Sequence, residues 1–423
     1  MSDARYAATR GQPGMRQWRR TGAIGACVLV PGLCLAFGMP SWGAWFAGAC
    51  AGIGVWRGAA APIAALLLGG AAAWAGATGW LYASGAAEDL FYRPHERFAE
   101  WNARHGHRAY RPSLDVQVQV RHGDLQPLTR APIAQPRQVR FRTDSNGFRN
   151  LRDYAGEPWV LLGDSFVAGS GSDHSALVSE ALARRGWRVH NLGFPGGPAD
   201  YADYWHAFRQ RHPAGRPRLL LFVFEGNDLP ERAGRTVASP ARRSWRYWRR
   251  TLEAPFRETL LARFVRSATG RLLGASRIES GEDVEIIPLA RGKVGFYRAY
   301  IERTRDAQVP ETPRFDAALA SLAPDIGAVF FVPTKYRVYQ PWVAPEERLN
   351  HARWAHLAAR CQTLGLACHD LTPELRRGAE ASLAEARLVY WRDDTHWNAA
   401  GMDLAAEQVA LVLAAGGRVG TSG

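Results

Sequence analysis

The chain has 423 residues, 47% of them hydrophobic, and a formal net charge of +14. The basic residues are 51 arginines and only 2 lysines (Lys293 and Lys335) in a background rich in alanine and glycine, the pattern of a GC-rich genome's codon usage. No nucleic-acid-binding motif accompanies the charge, so nucleic acid is excluded as its partner and anionic lipid heads or anionic glycans suit it better.

Residues 1–20 hold five arginines and one aspartate and read as a basic cytoplasmic N-terminus. No charged residue occurs over 21–56; Arg57 interrupts, and 58–87 is again uncharged. A spanning helix needs about 20 apolar residues. The first run accommodates two short spans turning near Pro40. The second gives one span from about residue 60 to 81, with Trp80 and Tyr82 at its interface. About three transmembrane helices are therefore predicted over 21–87, more than a cleaved signal peptide accounts for. Arginines before the first span and Arg57 after the second place the N-terminus inside, and an odd number of spans carries the rest of the chain out. This predicts a multi-pass protein of the bacterial inner membrane whose main domain is periplasmic. Glycine and alanine dominate the spans and favour close helix packing, within the chain or with another membrane protein.

Residues 88–158 read as an extracytoplasmic connector with a β-hairpin. Residues 115–120 alternate like a strand, and His122-Gly123-Asp124 reads as a turn. From 159 onward, apolar runs alternate with helical spacing. Strands are predicted at 159–162, 187–193, 219–224, 328–333 and 366–370, and helices at about 176–182, 199–212 and 348–361. That alternation implies a mostly parallel sheet covered on both faces. The stretch 229–313 reads as an insertion, with apolar residues at Leu252, Phe256, Leu260 and Phe264. These form either an interfacial helix on the bilayer or an ordinary amphipathic helix. Residues 416–423 read as a tail. Cys27, Cys34 and Cys50 fall in the expected spans. Cys361 and Cys368 flank a short turn and are either a disulfide or two buried thiols.

Chemistry enters at two distant places. Leu162-Gly163-Asp164-Ser165 puts a serine just after a predicted strand, and Asp393-Asp394-Thr395-His396-Trp397-Asn398 supplies a histidine and two carboxylates. A serine hydroxyl needs an adjacent base and a group to hold that base. Between them lie Gly196, after the second strand, and Glu225-Gly226-Asn227-Asp228, after the third. In such sheets ligands bind at the carboxyl ends of the strands, where Ser165, Gly196, Asn227 and His396 could meet. Position 167 is valine, so the serine does not sit in the Gly-x-Ser-x-Gly elbow.

These four blocks, in this order, resemble the SGNH (GDSL-type) hydrolases over about residues 160–414. The resemblance implies a flavodoxin-like three-layer α/β/α domain over 159–415. It implies Ser165 as nucleophile and His396 as base. The oxyanion would be held by the backbone N–H of Ser165, the backbone N–H of Gly196 and the side-chain amide of Asn227. The usual family spacing, Asp-x-x-His, selects Asp393 to orient the histidine. The Asp-x-His-Trp form, seen in the alginate O-acetylation proteins, selects Asp394 and is favoured here. Residues 142–149 also resemble a stretch that precedes the serine block in membrane-anchored bacterial members, and the Pro333-Thr334-Lys335 segment resembles one in alginate-acetylation-like proteins. They are candidates for shaping the cleft and for substrate contact. The expected activity is esterase or O-acyltransferase action on O-acyl groups of envelope or exported glycans, with acetyl the expected acyl group. The alternatives are a lipase or lysophospholipase, and a catalytically silent glycan-binding or assembly subunit. No metal-ligand cluster or phosphate-binding glycine loop appears, so no cofactor is implied.

Overall fold

The computed structural model describes residues 60–84, 98–102, 106–229, 283–309 and 312–419, with isolated positions between 245 and 264. The chain divides into two compact units, one of Met1–Leu90 and Arg249–Ser276, the other of Phe91–Trp248 and Arg277–Gly423.

In the first unit, helix α1 (Ala60–Ala83) forms where the third span was predicted. Ten of its 24 residues are alanine and four are glycine, and none is charged. Among the described residues, no helix is long and apolar enough to cross a membrane. The two spans expected within 21–56 lie outside the described residues. The transmembrane helices predicted from the sequence thus gain no support from the structure.

The second unit is built on five parallel strands: β5 (Trp159–Leu162), β6 (Val189–Asn191), β7 (Arg218–Phe224), β10 (Ile326–Val332) and β11 (Cys368–Asp370). Their order across the sheet is β11-β10-β7-β5-β6, with every pairing parallel. The chain therefore winds outward in both directions from β5, and the gap between β5 and β7 is the switch point at which such sheets bind ligands. β7 shows why the core strands read as unbroken apolar runs. Leu220, Phe222 and Phe224 enter the core on one face, and Leu219, Leu221 and Val223 enter the core on the other. A strand covered on both sides has no polar face to alternate.

Helices complete the layers. On the first face pack α2 (Val178–Arg184), α6 (Lys335–Val343), α8 (Thr372–Ala384) and α9 (Ala399–Val419), through Leu182, Tyr339, Leu375 and Val409. On the second pack α3 (Pro198–Arg211), α5 (Pro313–Leu322) and α7 (Ala352–Thr363), through Trp205, Phe208, Leu319 and Leu357. The α/β class with a parallel sheet is as expected from the sequence. α9 runs through Val419, into the stretch read as a tail.

Three antiparallel pairs lie outside the sheet: β1 (Ala99–Asn102) with β2 (His107–Tyr110), β3 (Asp115–Val120) with β4 (Arg137–Arg142), and β8 (Val284–Leu289) with β9 (Gly292–Tyr297). The turn read at His122-Gly123-Asp124 does not close β3 directly onto β4. The connection runs through a short 3-10 turn, Gln126–Leu128, before β4 begins. The β8–β9 pair and helix α4 (Arg298–Arg305) fall in the stretch read as an insertion, yet Val294, Phe296 and Ile301 join the main core. The expected interfacial helix lies mostly outside the described residues; Trp245, Trp248 and Leu252 are exposed. Cys361 and Cys368 form a disulfide with their Cα atoms 6.2 Å apart, which decides between the two readings of that pair.

Candidate active site

The serine side is shaped by backbone. β5 ends at Leu162, and Gly163 follows where a Cβ would lie 2.6 Å from a Val167 methyl and 3.1 Å from Phe222 O. The Asp164 carboxylate accepts the N–H of Phe166 at 2.9 Å, and the Ala168 N–H reaches back to Asp164 O at 3.0 Å. Ser165 therefore sits on the first turn after the strand, 3% exposed. Gly169 and Gly171 adopt φ of +66° and +71°, a region that L side chains rarely enter. Arg149, buried against the Phe141 ring, donates to the carbonyls of Ala168, Gly169 and Ser172 at 3.3, 2.8 and 3.1 Å. Burial lowers the pKa of its guanidinium to about 10. Of the stretch 142–149, Arg149 thus serves this glycine turn.

The histidine arrives from the opposite end of the chain. His396 Nε2 lies 2.7 Å from Ser165 Oγ, and His396 Nδ1 lies 2.6 Å from Asp394 Oδ1. Asp394 Oδ1 also accepts the backbone N–H of His396 at 3.1 Å. All three are buried. A neutral imidazole protonated on Nδ1 donates to Asp394 and accepts from the serine hydroxyl at Nε2, the arrangement in which a histidine acts as base. Trp397, fully buried, packs edge-on against Phe166 and donates its indole N–H to Phe166 O at 3.3 Å. That contact ties the histidine loop to the residue after the serine.

Asp393 does not contact the histidine. Its Oδ2 accepts the N–H groups of Gly123 at 2.6 Å and Gln135 at 2.7 Å, both on the β3–β4 connection. Burial raises its pKa above the ordinary carboxylate value, Arg137 pulls it back down and Asp394 raises it further. The structure therefore places Asp394, not Asp393, on the imidazole.

The same connection supplies residues that spacing arguments did not find. A Cβ on Gly123 would lie 2.4 Å from Asp393 O and 2.6 Å from Asp394 Cβ, so only glycine fits there. Asp124 accepts the N–H of Thr395 at 2.8 Å and its hydroxyl at 2.6 Å. Arg137, the first residue of β4, donates to Asp393 Oδ1 and Asp394 Oδ2 at 3.3 Å each. His122-Gly123-Asp124 was legible as a turn, but nothing local marked Asp124 or Arg137 as neighbours of His396. Lys335 is likewise buried. Its ammonium donates to the carbonyls of Gly295 and Trp391 at 2.7 Å and of Arg392 and Asp394 at 3.2 Å. It braces the histidine loop from below, so the expectation of substrate contact gives way to a structural one. Burial lowers its pKa to about 7 against the pull of Asp393, Asp394 and Asp124.

The expected oxyanion donors fall at the carboxyl edge. Gly196 lies between β6 and α3, and Asn227 lies three residues past the end of β7; both are half-buried. The loop before Gly196 is fixed tightly. A Cβ on Gly193 would come within 2.5 Å of Ala168 N, the Gly193 N–H bonds the Asn191 side chain at 2.7 Å, and Asn191 bonds Val167 O at 3.0 Å. Among the described residues, the backbone N–H groups of Ser165 and Gly196 donate to no backbone carbonyl. The Oδ1 of Asn227 is buried without a hydrogen-bond partner.

Asp124, Asp394 and His396 bring ligand-type atoms within 4.8 Å of one another. Thr395 engages Asp124, and His396 divides its two nitrogens between Asp394 and Ser165.

Residues 303–422 match the family model of the SGNH hydrolase-like domain of acetyltransferase AlgX. This agrees with the family drawn from the motifs. The matched span contains Lys335, Asp393, Asp394 and His396, and excludes Ser165, Gly196 and Asn227. No curated protein matches the chain. A solved crystal structure aligns with 61% of this chain and 95% of its own at 16% identity, with a TM-score of 0.27, too low to carry an argument.

Proposed function

We propose that this chain, whose residues 303–422 match the SGNH hydrolase-like domain of an acetyltransferase, is a serine esterase or O-acyltransferase acting on O-acyl groups, acetyl foremost, of cell-envelope or exported glycans. The observation that carries the reading is the hydrogen-bond chain from Asp394 through His396 to Ser165 at the carboxyl edge of the sheet. In the first half-reaction, Ser165 Oγ bonds to the acyl carbonyl carbon and its proton passes to His396 Nε2. The C–O bond to the sugar then breaks, and the leaving alkoxide takes that proton from His396. In the second, water or a sugar hydroxyl gives its proton to His396 and attacks the acyl-enzyme, and Ser165 is released with its proton restored. Water completes a hydrolysis; a sugar hydroxyl completes a transfer. The charge on the carbonyl oxygen would be met by the N–H groups of Ser165 and Gly196 and by the Asn227 amide, each such donor contributing about 10²–10³ in rate.

The acetyl group is supported by the description of the matched family, an acetyltransferase, and the glycan by the resemblance of Asp394-Thr395-His396-Trp397 to the form of the alginate O-acetylation proteins. A fluorophosphonate probe should label Ser165, and Ser165→Ala should abolish the labelling. Acyl analysis of envelope glycans from cells carrying wild type or Ser165→Ala should then differ. An unlabelled wild-type chain would leave the silent-subunit reading in its place. A lipid ester turned over in preference to an acetylated sugar would favour the lipase reading.

We propose further that the uncharged runs at 21–56 and 58–87 anchor this chemistry in the bacterial inner membrane, facing the periplasm. A reporter active only outside the cytoplasm should be active when fused after Gly423 and silent after Arg57; a silent fusion at Gly423 would refute the orientation.

A further inference from the structure

We propose that Arg137, on the hairpin that precedes the sheet, is a positioning residue for catalysis: its guanidinium keeps Asp394 ionised and aimed at His396 while tying that loop to the turn behind Ser165. The inference rests on the reading of Ser165, His396 and Asp394 as the reacting set.

The geometry is specific. Arg137 Nη2 donates to Asp394 Oδ2 at 3.3 Å, and Nη1 donates to Asp393 Oδ1 at 3.3 Å and to Gln135 O at 3.0 Å. Nε donates to Gly171 O at 2.7 Å, in the glycine turn that follows the serine. The guanidinium lies 4.1 Å from the centre of the Trp391 ring, and its side chain is 8% exposed. A Cβ on Gly171 would meet Arg137 Nη2 at 2.6 Å, so the turn leaves room for the guanidinium only because residue 171 has no side chain. One planar group thus touches both halves of the site. A lysine ammonium is a point charge on a flexible stem and cannot hold three such directions together.

The electrostatics point the same way. Asp394 Oδ1 lies 2.6 Å and Asp124 Oδ2 3.9 Å from His396 Nδ1, so two acidic groups face the imidazole, and the buried Asp393 stands next to Asp394 in the chain. Facing them are Arg137 and Lys335, with Arg392 nearby. Lys335 meets the backbone carbonyl of Asp394, whereas Arg137 meets its carboxylate. Buried like charges without a cation between them take up a proton. A protonated Asp394 could neither fix the Nδ1–H tautomer of His396 nor stabilise the imidazolium.

The test uses the full chain, an aryl acetate such as 4-nitrophenyl acetate, and fluorophosphonate labelling of Ser165 to count competent sites. Activity needs Asp394 ionised and His396 neutral. Removing the cation beside the Asp394 carboxylate favours its protonated form, so the acid limb of kcat/KM moves to higher pH. Arg137→Gln should lower kcat per labelled site by about 10²-fold and move that limb up by about one pH unit, with KM little changed. Arg137→Lys keeps the charge but not the fork. Its acid limb should stay near the wild-type position while kcat falls about tenfold. If both variants match wild type in kcat and acid limb and lose only thermal stability, Arg137 is a brace and the inference is overturned. Should Arg137→Gln fail to fold, a wild-type kcat in Arg137→Lys overturns it alone. A wild-type chain that neither turns over the ester nor labels at Ser165 refutes the proposed function itself, and this inference falls with it.

Discussion

The serine half and the histidine half of this site are held by different physics. Around Ser165 the chain is shaped by backbone: a strand end, a tight turn, glycines where a Cβ would collide, and carbonyls gathered by Arg149. Around His396 it is shaped by charge: Asp394 on the imidazole, Arg137 across two carboxylates, Asp124 on Thr395 and Lys335 beneath the loop carbonyls. The first kind of support lies nearer in sequence, the Arg149 contacts spanning 19 to 23 positions. The second is assembled from residues as far as 271 positions apart and rests on the ion pairs of Arg137 with Asp393 and Asp394. The lesson is that a nucleophile can be set by a short peptide, whereas a base needs a whole domain around it.

The largest effects should come from cutting the link between the halves. Ser165→Ala and His396→Ala should each lower turnover of a small chromogenic acetate ester by about 10⁴-fold or more with the fold intact by circular dichroism; activity within a few-fold of wild type in either would dissolve the pairing. Next comes the contrast between neighbouring aspartates. Asp394→Asn should cost about 10³–10⁴ in kcat through the wrong imidazole tautomer, while Asp393→Asn should mainly lower thermal stability. The reverse ranking would show that the charge network, rather than the direct contact, orients the histidine. Asn227→Ala tests the carboxyl edge on the serine side. A fall of about 10²–10³ in kcat with KM unchanged is expected of an oxyanion donor, and a rise in KM alone would make Asn227 a substrate contact. The smallest effect concerns pH. Lys335 falls from an ordinary 10.5 to about 7 in the fold, so the unfolded chain binds more protons between those values. Stability from this group therefore rises with pH across that window. Urea midpoints of wild type and Lys335→Met should diverge in favour of wild type between pH 7 and the upper end of that range; parallel midpoints would remove Lys335 from the charge-held half.

The same division explains what could be read in advance. The five core strands were legible because residues such as Leu219, Leu220, Leu221, Phe222, Val223 and Phe224 are apolar on both faces. Ser165, Gly196, Asn227 and His396 were legible because each sits in a short motif, the first three after a strand and His396 in the loop before α9. The choice between Asp393 and Asp394 was open because both spacings fit; only the connection carrying Gly123 and Gln135 shows which carboxylate is already spoken for. Arg137 and Asp124 were not legible at all. Arg137 shares the inward face of β4 with Val139 and Phe141, but a charged residue at a strand's first position names no partner, and its targets are 256 and 257 residues away. The β8–β9 pair was missed for a related reason. It lies in a stretch whose arginines and short apolar runs suggested an appendage, while Val294 and Phe296 are buried in the main core.

The sheet itself has a consequence for company. Its two outer strands, β6 and β11, are three residues long each, while the inner β7 and β10 have seven. A strand added from another molecule would find only a few unpaired amides and carbonyls at either margin, too short a ladder to template growth. Whatever this domain meets, whether a polymer, a second copy or a membrane neighbour, it offers little there for main-chain pairing. Recognition would have to be written in side chains and loops, which can diverge without disturbing the strands that hold Ser165 in place.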